Sequence, residues 1–312
     1  LARAPGWTPS AGAARPAGDL RDTDGTTLGR QAQAVPVPVP LRPMTVADIL
    51  DGAVEILKLA PRTVIVLTAV LLVPIQVAAV VVANTGLENS TVIGVLGSPL
   101  FVGQVGSDRS NVAVVLYVLS SVLLPVLAAA IAWLAACRYG GTSPALGDVA
   151  RAVGRKVPVL LVAWLLVHVL EVVAAAATFF VLGLGGVAVM VLFMLTAPVV
   201  AVEGLGPIAA MRRATRLARR GFFMLLMVAL LSAFVENVVF FAFTALSLLT
   251  AGFSWGWAVT AVLTVVGTIV SKPILAGATA LAYIDIRIRV EGLDLELATT
   301  HMTVQSTATT RG

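Results

Sequence analysis

The sequence predicts an all-α membrane protein, a bundle of six transmembrane helices with three short amphipathic interfacial helices. Three observations lead there. Of the 312 residues, 59% are apolar and 12% charged, whereas about a quarter of an ordinary soluble domain is charged. Mean hydropathy is +0.99. The apolar residues are also gathered into runs that can cross roughly 30 Å of hydrocarbon, which takes about 20 residues of helix. This balance excludes a water-soluble globular enzyme, because a compact fold of this size leaves much of its chain facing water. It excludes a wholly disordered chain for the same reason.

Residues 1–40 are rich in Ala, Pro, Gly, Arg and Thr and end in VPVPVP at 35–40. Such a run favours extended polyproline conformation, so a disordered cytoplasmic tail is expected. With no apolar block of about seven residues near the start, no cleaved signal peptide is expected. A six-helix transmembrane domain is expected over 41–298 and a second disordered cytoplasmic tail over 299–312.

The first crossing is expected over 63–83 and the second over 112–136. The apolar run from Val157 to Val202 would make about 69 Å of helix at ~1.5 Å per residue, so it is two crossings. Gly183, Gly185 and Gly186 mark the turn between them. The last two crossings are expected over 222–250 and 257–283.

An amphipathic segment precedes the first, third and fifth crossings. In TVADILDGAVEILKLA, 45–60, Ile49, Leu50, Ala53, Ile56 and Leu57 fall on one face, and Asp48, Asp51, Glu55 and Lys58 on the other. Thr45 with Asp48 resembles a capping box. In SPALGDVARAVGRK, 143–156, Ser143 is expected as the N-cap and Pro144 at the first helical position. In PIAAMRRATRLARR, 207–220, the five arginines fall within an arc of about 120°, with Ile208, Met211, Ala214 and Ala218 expected opposite. The unit of interfacial helix, crossing, turn and crossing is thus used three times.

Net charge is +5 and the isoelectric point about 10.0. The basic residues are read as positive-inside anchoring rather than a nucleic-acid surface, so no nucleic-acid partner is expected. With the amino terminus inside, the external loops are 84–111, the glycine turn and 251–256, and they hold only Arg109. Internal segments hold Arg138, Arg151, Arg155, Lys156, Arg212, Arg213, Arg216, Arg219, Arg220, Arg287 and Arg289. A multi-pass protein of the cytoplasmic membrane with both termini inside is expected.

Three stretches carry a family resemblance: LRPMTVADILDGAVEILK at 41–58, VEGLGPIAAMRRATRLARRGFF at 202–223 and LAYIDIRIRVEGLDLEL at 281–297. Together they resemble the glycerophosphodiester phosphodiesterase membrane-domain family of bacterial integral membrane proteins. The family often has a Ser-Trp pair where this chain has Ala214 and Thr215. In the enzymes that give the family its name, catalysis resides in a separate soluble barrel. The resemblance therefore implies a membrane module without the catalytic part.

Catalytic signatures are sparse. His168 and His301 are the two histidines and Cys137 is the single cysteine. That leaves no internal disulfide and no usual zinc set. No H-E-x-x-H, phosphate-cradling glycine loop or G-x-S-x-G elbow occurs. No enzyme activity, metal or cofactor is expected.

What remains is His168, Glu171, Glu236, Asn237 and Lys272 within apolar spans. A charge at mid-membrane costs about 2.5–3.5 kcal/mol on insertion scales, so each is expected to turn inward and find a partner. His168 and Glu171 share a helix face. Glu236 and Lys272, on neighbouring antiparallel crossings, are expected to form an ion pair, and Pro273 to disturb the helix beside it. These residues form either a polar pathway or inter-helix contacts that fix register.

Arg212, Arg213, Arg216, Arg219 and Arg220 are the candidates for contact with anionic lipid headgroups. Asp285–Arg289 and Arg287–Glu291 pairs are expected on a helix continuing the sixth crossing and ending near Gly292. The partners implied are the bilayer, anionic headgroups at the cytoplasmic face and other membrane proteins. The functional reading is a scaffold or accessory subunit of a membrane complex, with a transporter or lipid-handling protein as the alternative.

Overall fold

Ten α-helices account for nearly all of the described chain. A computed structural model describes residues 42–84, 108–181, 183–250 and 252–293. Both predicted tails, His301 and most of the first external loop lie outside the described residues. The helices are α1 (Val46–Leu59), α2 (Pro61–Asn84), α3 (Asp108–Tyr139), α4 (Leu146–Gly154) and α5 (Val157–Ala177). They continue as α6 (Leu184–Phe193), α7 (Thr196–Glu203), α8 (Pro207–Ala218), α9 (Phe222–Ser247) and α10 (Gly256–Glu291). Six segments are long and apolar enough to cross a membrane: Pro61–Ala79, Val118–Tyr139, Val157–Ala177, Leu184–Glu203, Phe222–Thr250 and Gly256–Glu291.

The outer surfaces of these segments are oily. Val70 is 69% exposed, Val172 67% and Phe234 64%, a continuous apolar exposure that no water-facing monomer carries. The inside is built from small side chains. Ala128 to Ala132 on α3 and Ala276 to Ala282 on α10 supply much of the buried core. Small residues let helix backbones approach closely in lipid, where dispersion replaces the hydrophobic effect as the attraction. Gly277 shows how closely: a Cβ there would lie 3.1 Å from the Cβ of Ala53. This contact seats α1 against α10, which also packs on α2, α3 and α9 and forms the axis of the bundle.

The short helices begin where their side chains can satisfy free backbone amides. Thr45 caps α1: its side chain accepts from the Asp48 amide at 3.2 Å while Asp48 accepts from the Thr45 amide at 2.8 Å. Helix α4 starts later than the Ser143 cap and Pro144 start expected from sequence. Its N-cap is Ala145, because Asp148 reaches back to the Ala145 amide at 3.3 Å and fixes the first turn there. In α8, Ile208 does not oppose the arginines. It is 58% exposed and borders them, because four residues turn a helix by about 400°, which places it some 40° from Arg212.

The fourth crossing differs most from expectation. It is not one helix but two, α6 and α7, interrupted at Met194 and Leu195. Pro198 has no amide hydrogen to donate to the carbonyl four residues back, which belongs to Met194, so the ladder breaks there. The turn before it is tight: Gly183 has φ 65°, and a Cβ on Gly185 would sit 2.6 Å from the Ala174 carbonyl oxygen. Helix α10 runs 36 residues to Glu291 and stops at Gly292. At ~1.5 Å per residue it is about 54 Å long, well beyond the roughly 30 Å of a bilayer core. Its last turns therefore extend past the hydrocarbon, and they carry the polar residues described next.

Candidate functional site

One end of the bundle holds a network of ion pairs drawn from residues 202–223 and 281–297. Arg213 on α8 donates through Nε to both oxygens of Glu203, at 3.1 and 2.9 Å. Its other nitrogens reach Glu291 at 2.7 and 2.5 Å. Tyr283 donates to Glu203 at 2.9 Å, and Arg287 donates to Glu291 at 3.0 Å and to the Tyr283 oxygen at 3.3 Å. Burial pulls the Arg213 pKa down, but the Glu291 hydrogen bond and the charges of Glu203 and Glu291 outweigh it, and the pKa rises above its ordinary value.

A second clamp lies beside it. Asp285, fully buried, accepts from the Met44 amide at 2.6 Å and from Arg289 at 2.8 Å, and Arg289 returns a bond to the Met44 carbonyl at 2.6 Å. Lys156 ties the start of α5 to the end of α7 through the Ala201 carbonyl at 2.5 Å. Burial lowers its pKa from the ordinary lysine value.

This network divides the five arginines. Arg213 is consumed by Glu203 and Glu291. Arg212, Arg216, Arg219 and Arg220 take part in none of the ion pairs among the described residues. These four border a groove of about 850 Å³ whose other wall is apolar: Leu166, Val169 and Leu170 of α5 and Phe193 of α6, with Ile208 and Met211 of α8 on the arginines' own side.

The intramembrane polar residues separate into two places. Lys272 donates to Glu236 between α10 and α9, so the structure joins the two. Asn237 bonds the Ala233 carbonyl on its own helix at 2.7 Å. His168 and Glu171 lie elsewhere, in the wall of a cavity of about 380 Å³ lined by α3, α5, α6, α7, α9 and α10 and open on one side. Glu236 and Lys272 do not line this cavity, so the four residues do not form one continuous path. Phe193 borders both the cavity and the groove.

Sequence reading missed Glu203, Tyr283 and Lys156, and the cavity residues Trp164, Thr196 and Ser232. Glu203 and Tyr283 stood in the stretches 202–223 and 281–297. Pro198, inside an apolar run, was the available signal for the break in the fourth crossing.

The apolar exterior, six membrane-length helices and charged residues gathered at the helix ends fit a multi-pass helical membrane protein. No family model matches the chain, and neither a curated protein nor a solved structure matches it.

Proposed function

We propose that this chain is a non-catalytic, multi-pass protein of the bacterial cytoplasmic membrane, with both termini inside, that holds an anionic phospholipid at its cytoplasmic face. The proposal keeps the resemblance to the glycerophosphodiester phosphodiesterase membrane domain and its lack of a catalytic barrel. In it, α1, α4 and α8 lie along the cytoplasmic interface. The observation that carries the lipid reading is the groove between α5 and α8. Four arginines without an acidic partner among the described residues line one side and four apolar side chains of α5 and α6 line the other. That is the polarity of a phospholipid, with phosphate against guanidinium and an acyl chain against Leu166, Val169 and Leu170. A basic residue near the membrane surface contributes about 1 kcal/mol toward anionic lipid, so four give roughly 4 kcal/mol.

The groove favours lipid handling over a bare scaffold, since a scaffold needs no unpaired arginines beside an open apolar wall. An accessory role in a larger complex is compatible with it, the bound lipid being part of the contact surface. Native mass spectrometry tests the reading on full-length protein released from nanodiscs of phosphatidylglycerol and phosphatidylcholine. Wild type retains phosphatidylglycerol in preference, and a variant with Arg212, Arg216, Arg219 and Arg220 changed to Gln loses that preference. Equal retention of the two lipids by wild type refutes it.

A further inference from the structure

The half-open cavity beside His168 is chemically unlike the arginine groove. Its volume of about 380 Å³ falls within the roughly 300–1,000 Å³ typical of small-molecule sites. Most of its wall is apolar, and polar groups enter at few points. On α5, His168 Nδ1 lies 3.1 Å from the Trp164 carbonyl oxygen. A carbonyl only accepts, so Nδ1 carries the hydrogen and the lone pair of Nε2 is left over. Glu171, one turn on, takes part in none of the ion pairs among the described residues.

Two hydroxyls complete the set. Thr196 is 6% exposed and Ser232 1%, and neither side-chain oxygen has a hydrogen-bond partner among the described residues; nor has Trp164 Nε1. A hydroxyl on a membrane helix can donate to the carbonyl four residues back, and Thr68, Thr215, Thr260 and Thr279 all do so here. Thr196, Ser232, Thr268 and Ser271 are exceptions among the described residues, and the first two lie in the cavity wall. The backbone is interrupted at the same place. The α6–α7 break lies beside Thr196, and Pro125 of α3 lines the cavity with Ser121, whose carbonyl it leaves without a helical donor. Broken helices of this kind form midplane binding sites in membrane carriers.

We propose that this cavity binds a small organic amine in its ammonium form. The head lies between the Glu171 carboxylate and His168 Nε2, and the hydrocarbon body lies along the apolar wall. The two strongest groups, Glu171 and Nε2, are both acceptors. An anionic ligand is repelled by the Glu171 carboxylate, and a neutral alcohol can form no ion pair with it, so only a cation gains from keeping that group ionised in a medium where a lone charge is costly. An ammonium has three donors, enough for the carboxylate, the imidazole and one of the unpartnered hydroxyls.

The test uses full-length protein in neutral phosphatidylcholine nanodiscs, titrated calorimetrically at pH 7 with hexylamine, hexanol and hexanoate. Hexylamine is expected to bind once per chain, hexanol at least tenfold more weakly, a difference of about 1.4 kcal/mol, and hexanoate not at all. Glu171→Gln is expected to weaken hexylamine at least about tenfold, by the same conversion, and to leave hexanol unchanged. Should that variant fold poorly, Thr196→Val and Ser232→Ala serve instead. Each removes a hydroxyl that bonds nothing among the described residues, so folded yield is retained while hexylamine affinity falls several-fold. Arg216→Gln leaves hexylamine binding unchanged, which separates this site from the lipid groove. No hexylamine binding by wild type, equal affinity for amine and alcohol, or unaltered amine affinity in both hydroxyl variants overturns the proposal.

Discussion

Met44 and Asp285 stand 241 positions apart in the chain and 2.6 Å apart in the fold, the backbone amide of one donating to the carboxylate of the other. Arg289 closes the arrangement from both sides, onto the Asp285 carboxylate and the Met44 carbonyl. The first described residues are thereby fastened to the last helix. Removing one member of a buried charged pair leaves its partners unsatisfied and costs about 3–5 kcal/mol. Asp285→Ala is expected to lower unfolding stability by roughly that amount, read as a shift in SDS-unfolding midpoint of the purified protein. Asp285→Asn retains an acceptor for Met44 and loses less. An unchanged midpoint in Asp285→Ala removes the clamp from the account.

Arg213 and Arg216 are three residues apart and should behave oppositely. Arg213 bridges Glu203 and Glu291 with its side chain 19% exposed. Arg213→Gln is expected to destabilise by about 3–5 kcal/mol, because two carboxylates are left facing each other. Arg216→Gln is expected to change stability by less than about 0.5 kcal/mol while reducing retained phosphatidylglycerol. Thermal unfolding and lipid counts on the same samples separate the two effects. The reverse pattern would mean that Arg213 faces lipid.

The capping box of α1 gives a pH dependence. The Thr45 backbone and side-chain bonds, with the Arg42 charge, hold the Asp48 carboxyl below its ordinary value of 3.8. A depressed folded pKa stabilises above the unfolded value, and that stabilisation is lost as pH falls through the folded pKa. Wild type and Asp48→Asn are therefore expected to differ in melting temperature at pH 6 and to converge as pH drops below about 4. A constant difference across that range would show that the carboxylate charge is irrelevant to the cap.

Much of this architecture was legible in the sequence, and the exceptions share a cause. Run lengths placed the membrane-length helices, since hydrocarbon thickness fixes how many apolar residues a crossing needs. The Glu236–Lys272 contact could be read because a short connection forces antiparallel neighbours and an unpaired charge at that depth is costly. The continuation of α10 to Gly292 was a choice between periods: strict alternation of Ile284, Ile286, Ile288 and Val290 suggests a strand, but Arg287–Glu291 and Arg289–Asp285 spacing suits a helix, and both pairs form. Arg213 lies at the edge of the arginine arc, where one helix alone does not reveal that Glu203 and Glu291 are waiting. The cavity was invisible for the same reason. Thr196, Ser232 and Trp164 are ordinary residues for a membrane helix, and only tertiary placement shows that their polar atoms lack partners among the described residues.

The Glu236–Lys272 pair can be removed as a unit. Glu236→Gln or Lys272→Met alone leaves one charge unpaired within the bundle, whereas the double variant leaves none. Polar contacts between membrane helices contribute about 1–2 kcal/mol in model peptides and less in some proteins, so each single change is expected to destabilise by about that much or more. The double variant is expected to recover most of the loss. A double-mutant cycle on unfolding midpoints gives the coupling directly, and additive losses would show that the two side chains do not depend on each other.

Sidedness tests the lipid assignment, because an anionic-lipid groove on the cytoplasmic side must face inward. Cys137 is the single cysteine, so a Cys137→Ser background allows single sites to be introduced. Gly147 and Ser254 are exposed, and a Cβ at Gly147 meets nothing within 4 Å. Ser254 lies in the turn between α9 and α10, with the partly exposed Trp255 and Trp257 beside it, and such aromatics favour a membrane interface. In intact cells a membrane-impermeant maleimide is expected to label Ser254→Cys and to spare Gly147→Cys and Arg216→Cys, all three reacting once the membrane is opened. The excess of basic residues near Gly147 and Arg216 predicts this sidedness. Labelling of Arg216→Cys in sealed cells would place the arginine groove outside and leave the lipid assignment without its cytoplasmic leaflet.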